Sequence, residues 1–250
     1  MISTTTVSTL PDFVRAVTNL GPGIYRGQPS NRPLLPGIIR PHLKGARLRY
    51  PQLEQMLLHR FRLNAAPYLD GLNDTSTAGW WRCLALAQHH RLPTRLLDWT
   101  SSPLAALYFA TAPEINDGPE RVVYRLPTPV GLTAEEFASR FSVPPWEYEN
   151  DTILFLQPEL THPRVYAQGS LFSVHPGRPV ERRGSEFYEV QVNRIVIPVT
   201  EATSMLTSLY RFGITQARLF PGPDAVAETA VWEARGEVLD IPTNNLDNVV

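Results

Sequence analysis

The fold and the function of this chain are best approached from one stretch, Gln88-His89-His90-Arg91-Leu92-Pro93-Thr94-Arg95-Leu96-Leu97-Asp98-Trp99-Thr100. Before it, apolar residues at helical spacing in segment 80–87 predict a buried helix, which Pro93 should end near Arg91. After it, two serines can cap a second helix that begins at Pro103. We therefore expect the polar residues on a short connection between two buried helices, where functional side chains are often held.

The remaining patterns predict further helices and strands around this segment. The order is a helix and a strand, then a helical block, then mostly strands with two more helices. This order indicates an α+β fold, with a mixed or antiparallel sheet and a helical subdomain packed beside it. We expect one domain over residues 1–250, with the helical block at about 51–112 between the N-terminal strand and the strand-rich C-terminal part. Predicted strands are 24–26, 121–126, 152–156, 164–168, 171–174, 187–192 and 194–198; predicted helices outside the block are 8–20, 133–141, 201–212 and 224–234.

Composition places the chain among globular proteins, with 43% hydrophobic and 19% charged residues. The single cysteine, Cys83, excludes an intramolecular disulfide and a cysteine-rich metal site, and its helical setting suggests a small core residue. Neither a signal peptide nor an apolar run of about 18 residues is apparent. We therefore expect a protein that does not contact the membrane and that is cytoplasmic or delivered by a route that the sequence does not show.

Positive charge is concentrated in one part of a chain whose net charge is only −1. Segment 26–62 has eight basic residues against one acid, Glu54, and so carries a charge of +7. The segment is either a solvated basic face paired with the acidic remainder or a surface for a nucleotide or nucleic acid. Arginine favours the second use because its planar guanidinium binds phosphate in a bidentate manner.

Four motifs make this sequence similar to one family. The central run resembles the Gln-His-x-x-x-Pro-Thr-Arg-Leu-Leu-Asp-Trp-Thr signature of the FRG domain family, a bacterial and phage-associated group. Tyr25-Arg26-Gly27-Gln28 resembles its aromatic-Arg-Gly motif, segment 164–172 its Gln-x-Gly-x-Phe block, and segment 213–221 its closing Leu-Phe-Pro element, although Gly222 stands where the family commonly has aspartate. The resemblance spans roughly residues 8–230. It implies an effector or toxin of a bacterial conflict or phage-defence system, with an antitoxin or immunity protein as a partner.

The histidines and the carboxylate of the central run allow several chemistries. His89 and His90 are adjacent and would project about 100° apart on a helix, so we expect no metal site. Hydrolysis could use His89 and Asp98 with a nearby hydroxyl, but no nucleophile elbow is present. In a structural interpretation, Arg95 and Asp98 instead form an i, i+3 ion pair that fixes the connection.

A second resemblance concerns the first strand. Ile24-Tyr25-Arg26-Gly27 looks like the Tyr-Arg-Gly of arginine-type ADP-ribosyltransferases, which implies that Arg26 holds NAD phosphate and that Gly27 admits the nicotinamide ribose. Gln28 could then donate a hydrogen bond to the ribose or carboxamide, and the strand at 168–172 could place Phe172 or Tyr166 against nicotinamide. The sequence lacks a convincing Glu-x-Glu motif, so Asp98 is the best candidate for stabilising an oxocarbenium-like state. His89 or His90 would orient the acceptor.

We therefore place one site between segments 25–28, 88–100 and 168–172. The favoured hypothesis is NAD-dependent ADP-ribosyl transfer to nucleic acid or protein; the alternative is a nucleotide- or nucleic-acid-binding module without catalysis, in which Trp80, Trp99 or Tyr25 stacks on bases. In a third interpretation Arg26 pairs with an acid in the core. The candidate catalytic residues are Arg26, His89, Arg95 and Asp98; the candidate cofactor-binding residues are Tyr25, Arg26, Gly27, Gln28, Gln168 and Phe172.

Overall fold

The structure, a computed structural model, describes residues 3–40, 51–112, 118–149, 153–158, 169–175 and 192–234. Within these ranges it contains eight strands and eight α-helices. The strands are β1 (Thr4–Thr6), β2 (Ile24–Gln28), β3 (Leu96–Thr100), β4 (Glu120–Leu126), β5 (Gly131–Leu132), β6 (Leu154–Leu156), β7 (Ser170–Val174) and β8 (Asn193–Pro198). The helices are α1 (Leu10–Leu20), α2 (Gln52–Ala65), α3 (Thr77–His89), α4 (Pro103–Thr111), α5 (Ala134–Phe141), α6 (Val199–Arg211), α7 (Gln216–Leu219) and α8 (Pro223–Ala234).

All eight strands form one mixed sheet in the order β1-β8-β4-β2-β3-β7-β6-β5. The two outer pairs, β1 with β8 and β5 with β6, are parallel, whereas the inner pairs are antiparallel. The helices are interspersed along the chain and pack against this sheet. The predicted α+β class with a mixed sheet is therefore confirmed.

The centre of the sheet is its weakest junction. β2 pairs with β4 along all five of its residues, and β3 does the same with β7. Between β2 and β3, however, the pairing is restricted to Tyr25 with Thr100. The sheet therefore consists of two four-stranded halves that separate from each other beyond this single pair.

Each half carries its own apolar core beneath helices. The first core joins α1, α4 and α6 to β2, β4 and β8 around Phe13, Leu107 and Ile195. The second joins α3 and α5 to β3, β6 and β7 around Trp81 and Phe172. A third cluster, which includes residues of β2, β3 and β4, continues across the junction. Two helical layers thus flank the line along which the half-sheets meet.

The central run forms a strand, which is where the structure departs most from the sequence-based expectation. The helix before it ends at His89, with Arg91 in the left-handed region at φ 65°, and the helix after it begins at Pro103 with a cap from Ser102. Segment 96–100, however, is β3 at the centre of the sheet, so the prediction of a helix–loop–helix was wrong there. The reason is burial: four of its five residues are buried, and a short apolar run does not distinguish a buried strand from a connection.

Most other predicted elements lie where the patterns placed them. Thr133 caps α5 through a complete capping box, and Gly213 ends α6 with φ 75°. In α2, the buried residues include Glu54, the one acid of the basic segment 26–62. The predicted strand at 164–168 and, apart from Val192, the predicted strand at 187–192 lie outside the described residues. Among the residues that are described, none of the helices combines the length and the apolar character needed to cross a membrane.

Candidate functional site

A pocket of about 270 Å³ opens where β2 and β3 separate. β2 and α4 supply one wall, and the end of α3 together with β3 supplies the other. This is the place at which the sequence predicted a site. Its lining residues are Tyr25, Arg26, Gly27, Gln88, His89, Arg91, Asp98, Trp99, Thr100, Phe109, Ser170 and Phe220.

Arg26 bridges the gap between the two half-sheets. One of its Nη atoms donates to the backbone oxygen of Asp98 at 2.8 Å and approaches the Asp98 carboxylate at 3.4 Å. The Arg26 side chain is 12% exposed and that of Asp98 52% exposed, so the carboxylate faces the open pocket. The Nε of Arg26 is buried without a hydrogen-bond partner among the described residues. The guanidinium is therefore held in place but retains a donor.

Further positive charge gathers around this pair. Partial desolvation and the neighbouring guanidinium of Arg26 lower the pKa of Arg40 below its usual value, whereas Asp98 raises it and Arg32 lowers it further. Arg91, which lines the pocket, adds another exposed guanidinium at its rim. Because several cations meet beside a single carboxylate, the entrance favours an anionic ligand.

Gly27 is explained by packing. A Cβ atom at this position would lie 1.9 Å from the backbone oxygen of Ala106 and 2.7 Å from the backbone nitrogen of Ala110. The absence of a side chain therefore lets α4 lie directly on β2. Gln28, its neighbour, is buried and donates from its amide to the backbone oxygen of Arg32 at 2.9 Å, so it shapes the segment after β2 and does not line the pocket.

Arg95 belongs to the core. It is 1% exposed and forms an ion pair with Glu54, in which its Nε and Nη2 lie 2.9 Å and 2.7 Å from one carboxylate oxygen. Its remaining Nη donates to the backbone oxygens of Tyr148 and His175. Burial raises the pKa of Glu54 and lowers that of Arg95. The expected i, i+3 pair of Arg95 with Asp98 does not form: Arg95 fastens β3 to α2, while Asp98 pairs with Arg26.

His89 lies in the wall between two pockets. Besides the first pocket, it lines a second of about 280 Å³, which is bounded by α3, the segment before it and the end of β6. The walls of the second pocket are mainly apolar, and its arginine, Arg82, is paired with Asp74 and Glu135. The ring of Phe172, which is fully buried, packs edge-on against His89 at 5.2 Å. Phe172 therefore supports His89 and does not itself face the first pocket.

A buried hydrogen-bonded chain supports β3 from the adjacent strand. The indole of Trp99 donates to Ser173 Oγ at 2.9 Å, and this oxygen lies 2.9 Å from Nε2 of His175. Burial, together with the charges of Arg26 and Arg95, lowers the pKa of His175 to about 3. The ring is thus neutral at pH 7, and its Nε2 can accept the Ser173 hydroxyl proton.

Of the residues predicted for the site, the structure brings Tyr25, Arg26, Gly27, His89 and Asp98 together in one pocket. Gln168 and Tyr166 lie outside the described residues.

Sequence reasoning missed the aromatic wall formed by Phe109 and Phe220, whose rings meet edge-on at 5.8 Å. The closing Leu-Phe-Pro motif was a signal for Phe220, which also packs with Leu219 at the first core. In the described part of the chain, no cluster of three His, Cys, Asp or Glu side chains could hold a metal ion.

Comparison with known proteins assigns a family to the part of the chain that builds most of this pocket. Residues 21–118, which include β2, α3, β3 and α4, match the model of the FRG domain. Searches of the curated proteins and of the solved structures gave no match. The motifs around Arg26 and Asp98 therefore belong to an FRG domain, and the chain carries this domain at residues 21–118.

Proposed function

We propose that the pocket between β2 and β3 binds NAD and that the chain is an ADP-ribosyltransferase. The observation that carries this proposal is the position of Arg26: a guanidinium with little exposure at the sheet junction, beside a half-exposed carboxylate, in a pocket with an aromatic wall. The pyrophosphate needs a fixed cation, which Arg26 supplies, and Arg40 and Arg91 add positive charge around it. Nicotinamide would lie against Phe109 and Phe220.

Volume limits how NAD would fit. At about 270 Å³ the pocket is slightly below the range of ~300–1,000 Å³ usual for small-molecule sites. It has room for part of a dinucleotide, so the nicotinamide ribose would enter and the adenosine would extend over the basic rim.

In the reaction that we propose, the bond between nicotinamide and ribose C1′ breaks, and nicotinamide leaves as a neutral molecule with the electron pair. Positive charge then develops on the ribose, where the Asp98 carboxylate stabilises it. An oxygen or nitrogen of the acceptor forms the new bond to C1′, and its proton passes to His89 or to solvent. His89 is suited to this step because it also lines the second pocket, from which we propose that the acceptor approaches.

The alternative of binding without catalysis rests on the same cluster of arginines. Trp80, Trp99 and Tyr25, the aromatic residues that would stack on the bases of a nucleic acid, are each less than a tenth exposed. A single-stranded nucleic acid would therefore meet charge but no stacking platform on these residues. Because these aromatic rings are buried while the arginines are accessible, a small nucleotide in the pocket is favoured over a single-stranded nucleic acid. The role as a toxin or defence effector, with an antitoxin or immunity protein as a partner, follows only from the sequence resemblance and is part of the proposal.

The test is calorimetric titration of the protein with NAD beside mass-spectrometric detection of nicotinamide, with RNA, DNA or protein as the acceptor. We expect saturable binding and nicotinamide release. Arg26→Ala should abolish binding while the protein remains folded, whereas Arg15→Ala, at an arginine whose side chain is 72% exposed on α1, should behave as the wild type. Absence of binding at millimolar NAD would refute the transferase. Binding of nucleic acid that weakens steeply with salt, without a product, would support the alternative.

A further inference from the structure

The side chain of Gln88 connects the pocket carboxylate to the start of β3. Its Nε2 donates to Asp98 Oδ2 at 2.9 Å, and its Oε1 accepts from the hydroxyl of Thr94 at 2.5 Å. Gln88 lies in the last turn of α3, Thr94 just before β3, and Asp98 in the middle of β3. The three side chains therefore join the helix to the strand at the edge of the pocket.

The donors and acceptors of Thr94, Gln88 and Asp98 fix the direction of the hydrogen bonds that join them. Thr94 Oγ1 accepts from the backbone N–H of Leu96 at 3.0 Å, which leaves its own proton to be donated. The amide oxygen of Gln88 can only accept, so it receives this proton, and the amide NH2 must then face Asp98. Reversing the amide would place its oxygen against the Asp98 carboxylate, where two acceptors would face each other.

Burial makes the starting point of this arrangement rigid. Thr94 is 1% exposed, and its backbone oxygen accepts from the N–H of Ile38, so it cannot easily turn away. Gln88 is half-buried at the pocket wall, and Asp98 is open to the pocket. A buried hydroxyl thus controls the orientation of an exposed carboxylate through one amide.

We propose that Gln88, oriented by Thr94, is a positioning residue that holds the Asp98 carboxylate toward the ligand. This inference rests on the proposed function because it assigns the catalytic carboxylate to Asp98. Arg26 donates to the backbone oxygen of Asp98 and approaches the same carboxylate oxygen that accepts from Gln88. With both donors in place, the second oxygen of Asp98 is directed to the substrate.

Three variants test the role of these hydrogen bonds in the reaction. Gln88→Met keeps the length of the side chain but removes the amide, and Thr94→Val keeps the shape but removes the hydroxyl; each should lower the rate of nicotinamide release about 10- to 100-fold. The Kd for NAD should change less than about threefold, since neither group contacts the pyrophosphate in the proposed mode. Thr94→Ser, which restores the hydroxyl, should recover most of the rate. Equal losses in Thr94→Val and Thr94→Ser would overturn the proposal.

A measurement without NAD separates this inference from the proposed function. The side-chain NH2 resonances of Gln88, assigned by their loss in Gln88→Met, should move in nuclear magnetic resonance spectra of Asp98→Ala and of Thr94→Val, because each variant removes one hydrogen bond of the Gln88 amide. They should stay near their wild-type positions in Thr94→Ser. If the variants show this pattern but the wild type does not bind NAD, the positioning role of Gln88 stands and the transferase fails. If the resonances do not move in Asp98→Ala or Thr94→Val, the positioning role fails whether or not NAD binds.

Discussion

Replacing Gly27 with alanine distinguishes packing from ligand access as the reason for glycine in the Tyr-Arg-Gly motif. The added Cβ would lie 1.9 Å from a backbone oxygen of α4, whereas ordinary contact begins at 3.4 Å. The helix must therefore move away from β2 by about 1.5 Å, and no flexible side chain can absorb the clash because the contacting atoms are backbone. Overpacking of a core costs about 1–3 kcal/mol and occasionally more, and a backbone clash should reach at least the upper end.

The assay is thermal unfolding of the wild type, Gly27→Ala and Gly37→Ala. For a chain of this size, a loss of about 3 kcal/mol corresponds to a decrease in Tm of roughly 6–12 °C. Gly37 is the matched control: its added Cβ would lie 3.2 Å from Pro93 Cα, which requires a shift of only about 0.2 Å to reach the same 3.4 Å limit. If Gly27→Ala kept the wild-type Tm but lost NAD binding, the packing argument would be refuted and the glycine would be required by the ligand.

Three other perturbations test the core, the pH dependence and the second pocket. Glu54→Gln leaves Arg95 buried without its counter-charge and should cost about 3–5 kcal/mol in urea unfolding; a loss below about 1 kcal/mol would show that the pair is dispensable. The pKa of His175 is lowered to about 3 from 6.5, so the unfolded chain binds more protons between these values and stability is lost as pH falls below 6.5. The loss attributable to His175 should be about 2 kcal/mol at pH 5 and should be absent in His175→Gln; an unchanged pH profile in that variant would contradict the assignment. Leu86→Trp, which fills the second pocket, should reduce transfer to the acceptor about 10- to 100-fold and spare NAD binding, and retained transfer would exclude this pocket as the acceptor's route.

Local signals in the sequence were sufficient for most of the elements. Caps such as Thr133 and Ser102 lie directly before their helices, and their side chains accept from backbone donors within three residues. The patterns at 121–126 and 194–198 likewise predicted the strands that the structure shows as β4 and β8. These features depend on neighbours along the chain, which a sequence displays without knowledge of the fold.

Features that depend on distant residues could not be predicted in the same way. Glu54 and Arg95 are 41 residues apart, and only their meeting in the core shows that the single acid of the basic segment is structural. Arg26 and Asp98 are 72 residues apart, yet both lie in motifs that the sequence placed at one site. Membership in the pocket was therefore accessible from the motifs, whereas the partner of each charge required the tertiary structure.

The single pair between β2 and β3 has a mechanical consequence. A strand pair with a full ladder resists shear through many hydrogen bonds, but here one residue pair and the bond from Arg26 to the Asp98 carbonyl bear the load between the half-sheets. The third apolar cluster packs across this junction, because it includes residues from both half-sheets. Because the two halves pair at this one position, the width of the opening that Arg26 spans depends on how far β2 and β3 separate beyond it.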